Sequence, residues 1–222
     1  MNPQSVFTGA AISAEVKNKV LRDTYKLLSM TLLFSGLMAA VSMMVALPPA
    51  TSLLASIGAI VLVWFVLPKT ANSSSGIFVV FGFTGLLGLG LGPVLNSYLA
   101  IPNGSQIIMT AMGGTGAIFL GLSGYALMTK KDFSFLGGML FAGMIVILIA
   151  ALANIFFQIP ALSLAISGAV ILIMSGFILF DTSRIINGGE TNYILATASL
   201  YLSIYNIFVS LLQILGIFGG DD

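Results

Sequence analysis

Residues 135–157 read FLGGMLFAGMIVILIAALANIFF and contain no charged side chain. As a helix with a rise of 1.5 Å per residue, this run is about 34 Å long, enough to cross the roughly 30 Å hydrocarbon core of a bilayer. The whole chain of 222 residues is 58% hydrophobic and only 7% charged, whereas a soluble domain has about 25% charged residues. We therefore assign the run to a membrane span and expect the lipid bilayer to be a partner of the chain.

Seven runs of this kind follow one another, separated by short segments rich in Pro, Gly, Ser and Asn. We place the predicted spans at residues 27–47, 52–67, 76–99, 106–128, 135–157, 161–180 and 194–218. They do not alternate between polar and apolar residues, as the roughly ten-residue strands of a membrane β-barrel would. The sequence thus predicts an all-α, polytopic membrane protein with an N-terminal tail at 1–26, a seven-helix transmembrane domain at 27–218 and a short C-terminal tail at 219–222.

The basic residues predict how the chain is oriented in the membrane. With seven spans, all eight of them fall on one side: Lys17, Lys19, Arg22, Lys26, Lys69, Lys130, Lys131 and Arg184. By the positive-inside rule this side is the cytoplasm. The N-terminal tail is then cytoplasmic, and the C-terminal tail with Asp221 and Asp222 lies on the opposite side.

The composition excludes several classes of function. The chain contains neither cysteine nor histidine, which excludes disulfide bonds, thiolate zinc sites, Ser–His catalysis and histidine proton switches. An intramembrane aspartyl protease needs two acids within its spans, and only Asp181 is a candidate. The net charge of +1 gives no sign of a nucleic-acid partner. We predict a protein that is not an enzyme and has neither a cofactor nor an assignable metal site.

Small residues recur four positions apart in three of the spans. These rows are Gly88 and Gly92 in the third span, Gly113, Ala117 and Gly121 in the fourth, and Gly138 and Ala142 in the fifth. Small side chains allow the backbones of two helices to approach closely. We expect the rows to pack helices within one bundle; the alternative is a face for a second copy of the chain.

The seventh span carries a polar stripe along one helix face. Its members are spaced four, three, four and three residues apart: Ser199, Ser203, Asn206, Ser210 and Gln213. Because polar side chains avoid lipid, the stripe has to face protein or water, and we expect the seventh span to lie inside the bundle or to line a hydrated cleft. The stripe predicts either a pathway for ions or water, or hydrogen bonds that hold the helices together.

Asp181 follows the apolar part of the sixth span, close to its predicted cytoplasmic end. Arg184 is three residues later on the same helix face, so one interpretation is an ion pair at the helix end. The other is a partly buried carboxylate that titrates as its surroundings change. Glu190 is the other acid nearby, and Gly188 and Gly189 leave the loop free to fold back.

The last third of the chain contains specific motifs. They are FDTSRII at 180–186, GGETNY at 188–193 and SLYLSIYNIF at 199–208, together with LRDTY at 21–25 and KDFSFLGG at 131–138. These segments closely resemble the transmembrane Bax inhibitor motif family, and within it the bacterial YccA-like branch. The resemblance covers nearly the whole chain.

The resemblance implies a multi-pass protein of the bacterial inner membrane, with a cytoplasmic N-terminus, a periplasmic C-terminus and a central seventh helix. The YccA-like branch implies a modulator of the FtsH-type membrane-anchored AAA protease, as both its inhibitor and its substrate. Other members of the family are pH-sensitive calcium leaks. In those, an aspartate pair from the sixth and seventh helices shares a proton and interacts with a basic residue.

Carried over to this chain, the first aspartate of that pair matches Asp181 and the second matches Ser203, so this sequence departs from the family pattern. A serine removes the like-charge repulsion that makes two carboxylates share a proton. It also removes one anionic ligand for a hard cation such as calcium. The basic partner is either Lys69 or Arg184, and the sequence leaves both open.

Three functional hypotheses follow from these observations. The first is a regulatory partner of a membrane-bound AAA protease, whose polar N-terminal tail the protease can grip. The second is a pH-sensitive leak for calcium or another cation along the polar stripe. The third is a structural membrane protein without transport, in which Asn206 and its neighbours only lock the bundle.

Overall fold

The computed structural model describes the backbone of residues 3–219 and the side chains of residues 15–219. Between these limits, seven helices are long and apolar enough to cross a membrane: α1 (Pro3–Met44), α2 (Ala50–Thr70), α3 (Ser75–Leu99), α4 (Gly104–Thr129), α5 (Gly137–Phe157), α6 (Pro160–Asn187) and α7 (Tyr193–Gly219). The predicted all-α fold with seven spans is therefore confirmed over this range. The tail residues Asp221 and Asp222 lie outside the described residues.

The basic residues that follow or precede the spans mark one end of the bundle. We call this the inner end, where Lys26, Lys69, Lys130 and Arg184 lie, and we call the opposite one the outer end. The helix α7 is at the centre and packs against α1, α3, α4 and α6. By contrast, α2 packs mainly on α3, and α5 packs mainly on α6. The polar stripe thus predicted the position of α7 correctly.

Two helices extend well beyond the predicted span limits: α1 begins at Pro3 rather than at residue 27, and α6 continues past residue 180. The sequence predicts an end at Phe180, where the apolar run stops, but the helix continues to Asn187. It ends there because Gly188 adopts a left-handed conformation with φ of 84°, which is favourable for glycine alone. The amide of Gly189 then donates to the carbonyl of Arg184 at 2.8 Å and closes the last turn. Asp181 therefore lies inside the helix.

The helix α2 changes its geometry near its inner end. Residues Leu62–Val66 form a π-helical turn that ends two residues before Pro68. The amide of Leu67 donates to the carbonyl of Leu62, five residues earlier, so the helix gains one residue in this turn. The apolar span continues through this irregularity to Thr70.

The helices α1 and α3 approach each other closely at two glycines. A Cβ atom added to Gly88 would collide with the backbone carbonyl oxygen of Ser35 and would lie 3.0 Å from its Cα. Gly92 meets the side chain of Ser42 in the same way. The expected packing role of the small residues in the third span is confirmed.

A proline explains why Ser42 is needed at this contact. Pro93 lies inside α3 and has no amide hydrogen, so it leaves the carbonyl of Leu89 without its usual partner four residues later. The Ser42 hydroxyl of α1 donates to that carbonyl at 2.7 Å. In hydrocarbon an unpaired carbonyl is costly, and this bond removes the cost while joining two helices.

The rows of small residues in α4 and α5 do not pack within the bundle, contrary to our expectation. Gly113, Ala117 and Gly121 are exposed, and so are Gly138 and Ala142. A Cβ atom on Gly113, Gly121 or Gly138 would meet nothing within 4 Å. The physical reason is that α4 turns another face inwards, with Ala111, Thr115, Ser123 and Ala126 buried.

We expect Gly88→Ala to lower the free energy of unfolding by about 1–3 kcal/mol, because the added methyl group meets rigid backbone rather than a flexible side chain. The measurement is unfolding of the purified protein in mild detergent by titration with dodecyl sulfate. Gly113→Ala is the matched control, since its methyl group enters open space. Equal stability of the two variants would contradict the assigned contact.

Candidate functional site

Asp181 is buried in the contact between α6 and α7, with 7% of its surface exposed. A buried carboxyl group needs a hydrogen-bond partner, because it has left water behind. The partner is Ser199, whose hydroxyl donates to Oδ2 of Asp181 at 2.5 Å. This bond joins the last turns of α6 to the first turns of α7 at the inner end.

Of the two interpretations of Asp181, the ion pair with Arg184 does not form among the described side chains. Arg184 extends to the loop instead: its Nη2 donates to the carbonyl of Gly189 at 3.0 Å and lies 3.6 Å from Oε2 of Glu190. Its guanidinium group also lies over the ring of Phe180, 5.3 Å from the centroid. The left-handed turn at Gly188 causes this arrangement, because it folds the loop back over the end of α6.

The structure also locates the other two residues that the resemblance assigned. Ser203 is 2% exposed and lies one turn further along α7 than Ser199, which is the residue that donates to Asp181. Lys69 is exposed at the inner end of α2, which packs on α3 rather than on α6. Lys69 forms no ion pair with any residue whose side chain is described. Their roles in ion or proton sensing stay predictions.

Two antiparallel helices carry the polar stripe between them. At the inner end Ser199 of α7 bonds to Asp181 of α6, and at the outer end Ser167 of α6 donates to Oε1 of Gln213 at 2.8 Å. The two bonds are 14 residues apart on both helices, or about 21 Å along the axis. The stripe therefore fastens α6 to α7 near each end.

The middle of the stripe has a different role. Asn206 donates from Nδ2 to the carbonyl of Leu202 in its own helix, at 2.8 Å, and so does not join two helices through this bond. On α6, Met174 and Ile178 lie between the two fastening positions and belong to the apolar core. Among the described side chains, the polar contacts between α6 and α7 therefore do not form a continuous row from Gln213 to Asp181.

A second group of hydroxyls lies near Asp181, and the sequence did not single it out. The hydroxyl groups of Tyr25 and Ser123 are hydrogen-bonded to each other, and the Ser123 hydroxyl lies 3.4 Å from that of Thr182. Ser183 accepts a bond from the amide of Phe133 at 3.1 Å. The motif FDTSRII contained both Thr182 and Ser183, so the resemblance was the signal that could have found them.

Asn192 holds the inner loops together. Its Oδ1 accepts from the amides of Ile194 and Leu195 at 2.9 and 3.2 Å, which makes it the N-cap of α7. Its Nδ2 donates to the carbonyl of Ala71, at 3.0 Å, in the loop that follows α2. The loop between α6 and α7 is thereby tied to the loop between α2 and α3.

Another acid at the inner end lies in a loop outside the spans. Asp132 accepts a hydrogen bond from the amide of Ser134 at 2.8 Å, and hydrogen bonding by Ser134 holds the pKa of Asp132 below its ordinary value. Asp132 thus stays ionised in the loop before α5. Within the described part of the chain, no three acidic, histidine or cysteine residues cluster closely enough to hold a metal ion.

The outer end has a polar cavity of about 520 Å³ where α3, α5, α6 and α7 meet. Tyr98, Gln158 and Gln213 contribute to its wall. Asn154 donates to the Ser163 hydroxyl at 2.6 Å beside it. No charged residue lines this cavity, so its lining consists of neutral hydrogen-bonding groups and apolar surface.

Comparison with known proteins gives consistent matches over nearly the full length. The family model described as "Inhibitor of apoptosis-promoting Bax1" matches residues 17–220. The modulator of FtsH protease YccA from Escherichia coli K12 is 56% identical over 204 residues, which cover 92% of each chain. A membrane protein of Vibrio cholerae is 54% identical over 205 residues, again with 92% of each chain covered. The two functional names describe an inhibitor and a modulator rather than an enzyme.

We expect Ser199→Ala to destabilise the protein by about 1–3 kcal/mol, because it leaves the buried Asp181 without this donor. Ser203→Ala is the matched comparison, since it removes the same hydroxyl one turn away on the same helix. Unfolding by dodecyl sulfate measures both variants. A larger loss for Ser203→Ala than for Ser199→Ala would contradict the assignment of Ser199 as the partner.

Proposed function

Because the chain belongs to the Bax inhibitor-1-like family, we propose that it modulates a membrane-anchored FtsH-type AAA protease of the bacterial inner membrane. The observation that carries this proposal is the 56% identity to the Escherichia coli modulator, with 92% of each chain covered. At this similarity and coverage, the two proteins share their whole architecture rather than one motif.

The geometry of α1 supports a specific mode of action. Its 42 residues extend over about 63 Å, roughly twice the thickness of the hydrocarbon core. The first side chain of α1 that is described as buried is Val20, and Glu15, Val16 and Lys19 are exposed. We place this N-terminal segment in the cytoplasm, where a processive protease can hold it as the start of a substrate.

The rest of α1 resists extraction from the bundle. The hydroxyl of Ser35 bonds with that of Tyr201 in α7 at 2.5 Å, and Ser42 bonds to the backbone of α3. Pulling on the N-terminal segment has to break these bonds within hydrocarbon, where unpaired polar groups are costly. While the protease holds a chain that it extracts slowly, it cannot degrade other substrates. A slowly degraded substrate is therefore also an inhibitor.

We expect deletion of residues 2–14 to lengthen the half-life of the chain several-fold in cells that produce the protease, because the deletion removes the segment to be held. Gly88→Ala, with the N-terminal segment intact, is expected to shorten the half-life and weaken inhibition, because α1 is then less firmly packed. Pulse-chase labelling gives the half-lives, and the degradation rate of a second membrane substrate reports inhibition.

Two controls separate these effects from general damage. Replacement of residues 2–14 by an unrelated polar segment of equal length should keep the half-life near that of the wild type. Gly113→Ala, whose methyl group meets no neighbour, should behave as the wild type in both assays. Unchanged turnover and unchanged inhibition in the deletion variant and in Gly88→Ala would refute the mode of action.

A cation leak is the second candidate function, and the burial of Asp181 at the inner end of the polar stripe favours it. The neutral polar cavity provides an opening at the outer end. The apolar residues Met174 and Ile178 lie between these sites, so conduction requires α6 and α7 to separate. Protonation of Asp181 changes its bond with Ser199 and thereby links pH to that separation.

If the protein conducts, we expect calcium flux into liposomes to exceed that of empty liposomes and to lose its pH dependence in Asp181→Asn. Asparagine keeps the size and hydrogen-bonding capacity of the side chain but cannot titrate. Ser203→Asp is the matched gain of a carboxylate and should increase the flux, because it restores the acidic pair of the family. Flux that is the same in all three proteins excludes Asp181 and Ser203 from conduction, and flux equal to empty liposomes excludes the leak itself.

A further inference from the structure

One face of α1 is turned away from the bundle along the whole span. Met30, Leu33, Leu37 and Met44 lie on it, with 55–85% of each residue exposed. They are three, four and seven residues apart and therefore form a single row at helical spacing. Because α1 is long and apolar enough to cross a membrane, this row marks the side of the helix that contacts lipid.

The same face continues beyond the apolar part of α1 with three basic residues. Lys26, Arg22 and Lys19 precede Met30 by four, eight and eleven residues, which keeps them on one side of the helix. All three are exposed. Because α1 is one helix from Pro3 to Met44, its lipid-facing side is not turned between the apolar and the basic residues. We call Lys19, Arg22 and Lys26 the basic row.

The depth of the basic row matches that of the lipid headgroups. The apolar part of α1 begins at Leu27, so Lys26 lies at its boundary, and Arg22 and Lys19 lie about 8 and 12 Å beyond Leu27 along the axis. The headgroup region on each side of the hydrocarbon core is roughly 5–8 Å thick. Lys26 and Arg22 are therefore at the level of the phosphate groups, and Lys19 is at their outer edge.

The protein neutralises only part of the charge of the basic row. Nε of Arg22 lies 3.4 Å from Oδ1 of Asp23, but 63% of the Arg22 side chain is exposed, and an exposed pair of this kind is weak. Lys19 and Lys26 form no ion pair with any side chain that the structure describes. Glu15 is on the same face but four residues further from the membrane than Lys19. Three positive charges and the one carboxylate of Asp23 leave an excess of positive charge at headgroup depth.

The other basic residues are arranged differently. Lys17 lies on the opposite side of α1, where its Cε would be 2.5 Å from a Cβ atom added to Gly188. Arg184 is bound to the loop between α6 and α7. Lys69 and Lys130 lie at the ends of two other helices. The positive-inside rule explains why these residues share one side of the membrane, but not why three of the eight share the lipid-facing side of one helix.

Charge complementarity identifies the occupant of the basic row. Beside a lipid-facing helix at this depth lie phospholipid headgroups, and basic side chains near the membrane surface attract those with net negative charge. The ammonium group of a zwitterionic headgroup offsets the charge of its phosphate. We propose that Lys19, Arg22 and Lys26 bind the headgroup of an anionic phospholipid in the leaflet at the inner end. This inference does not depend on the proposed protease partner.

Tryptophan fluorescence of the full chain in vesicles tests the site. Bromine on an acyl chain quenches a tryptophan beside it, so brominated phosphatidylglycerol in plain phosphatidylcholine reports how often the anionic lipid is in contact. The reporter is Leu33→Trp, on the lipid-facing row seven residues from Lys26, combined with Trp64→Phe because Trp64 is the single tryptophan of the chain. The unsubstituted chain is the comparison, since Trp64 is 73% exposed on α2 and lies five residues from Lys69.

We expect phosphatidylglycerol to be enriched several-fold at position 33 relative to Trp64. Combined replacement of the three residues of the basic row by Gln should lower this enrichment to the value at Trp64. The matched control replaces Lys69, Lys130 and Lys131 by Gln, which removes the same charge from three other exposed positions, and should leave the enrichment unchanged. Equal quenching of all reporter variants in brominated phosphatidylcholine alone verifies that position 33 still faces lipid and that the fold is retained.

Three outcomes would overturn the proposal. One is equal enrichment at position 33 and at Trp64. Another is an equal loss of enrichment in the two triple variants, because the attraction would then come from the net charge of the protein rather than from the basic row. The third is a basic row that contributes to binding of the protease while position 33 shows no enrichment, which would assign the row to a protein partner.

Discussion

Inside the hydrocarbon of a bilayer, a polar group without a protein partner is costly, and the arrangement of this bundle depends on that constraint. The Ser42 hydroxyl binds the carbonyl that Pro93 leaves free, and Ser199 binds the carboxyl group of Asp181. In each case a short side chain reaches across to another helix. Such bonds contribute modestly to stability one by one, but together they fix which helix faces which.

The sequence was sufficient for those features that depend on hydropathy alone. Seven spans, their approximate limits and the interior position of α7 follow from long apolar runs and from one polar stripe. The end of α6 did not follow, because a hydropathy count treats Asp181 as the end of a span. The structure shows that neighbouring helices provide partners for Asp181 and Thr182 and that the loop before α5 provides one for Ser183, and so the helix continues.

The details of the candidate site depend on register, which the sequence does not contain. The motif in α7 offers Ser199 and Ser203 one turn apart, and only the antiparallel alignment with α6 places Ser199 against Asp181.

The same limit applies to the small residues. Glycine is compatible with a close helix contact and with lipid, so Gly88 and Gly113 look alike in the sequence although one is packed and the other exposed. The sequence allowed Arg184 to pair with Asp181, and only the left-handed turn at Gly188 in the structure shows that Arg184 extends to the loop instead.

The architecture connects the packing to the proposed modulation of a protease. The peripheral helices α2 and α5 each pack mainly on one neighbour, and each lies between core helices along the chain. A protease that pulls from the N-terminal side therefore meets α1 first, which is fastened from Tyr25 near the inner end to Ser42 near the outer end. These contacts extend over most of the membrane thickness, so no short pull releases the helix. In the proposed mode of action, resistance to extraction thus comes from the packing of α1 itself.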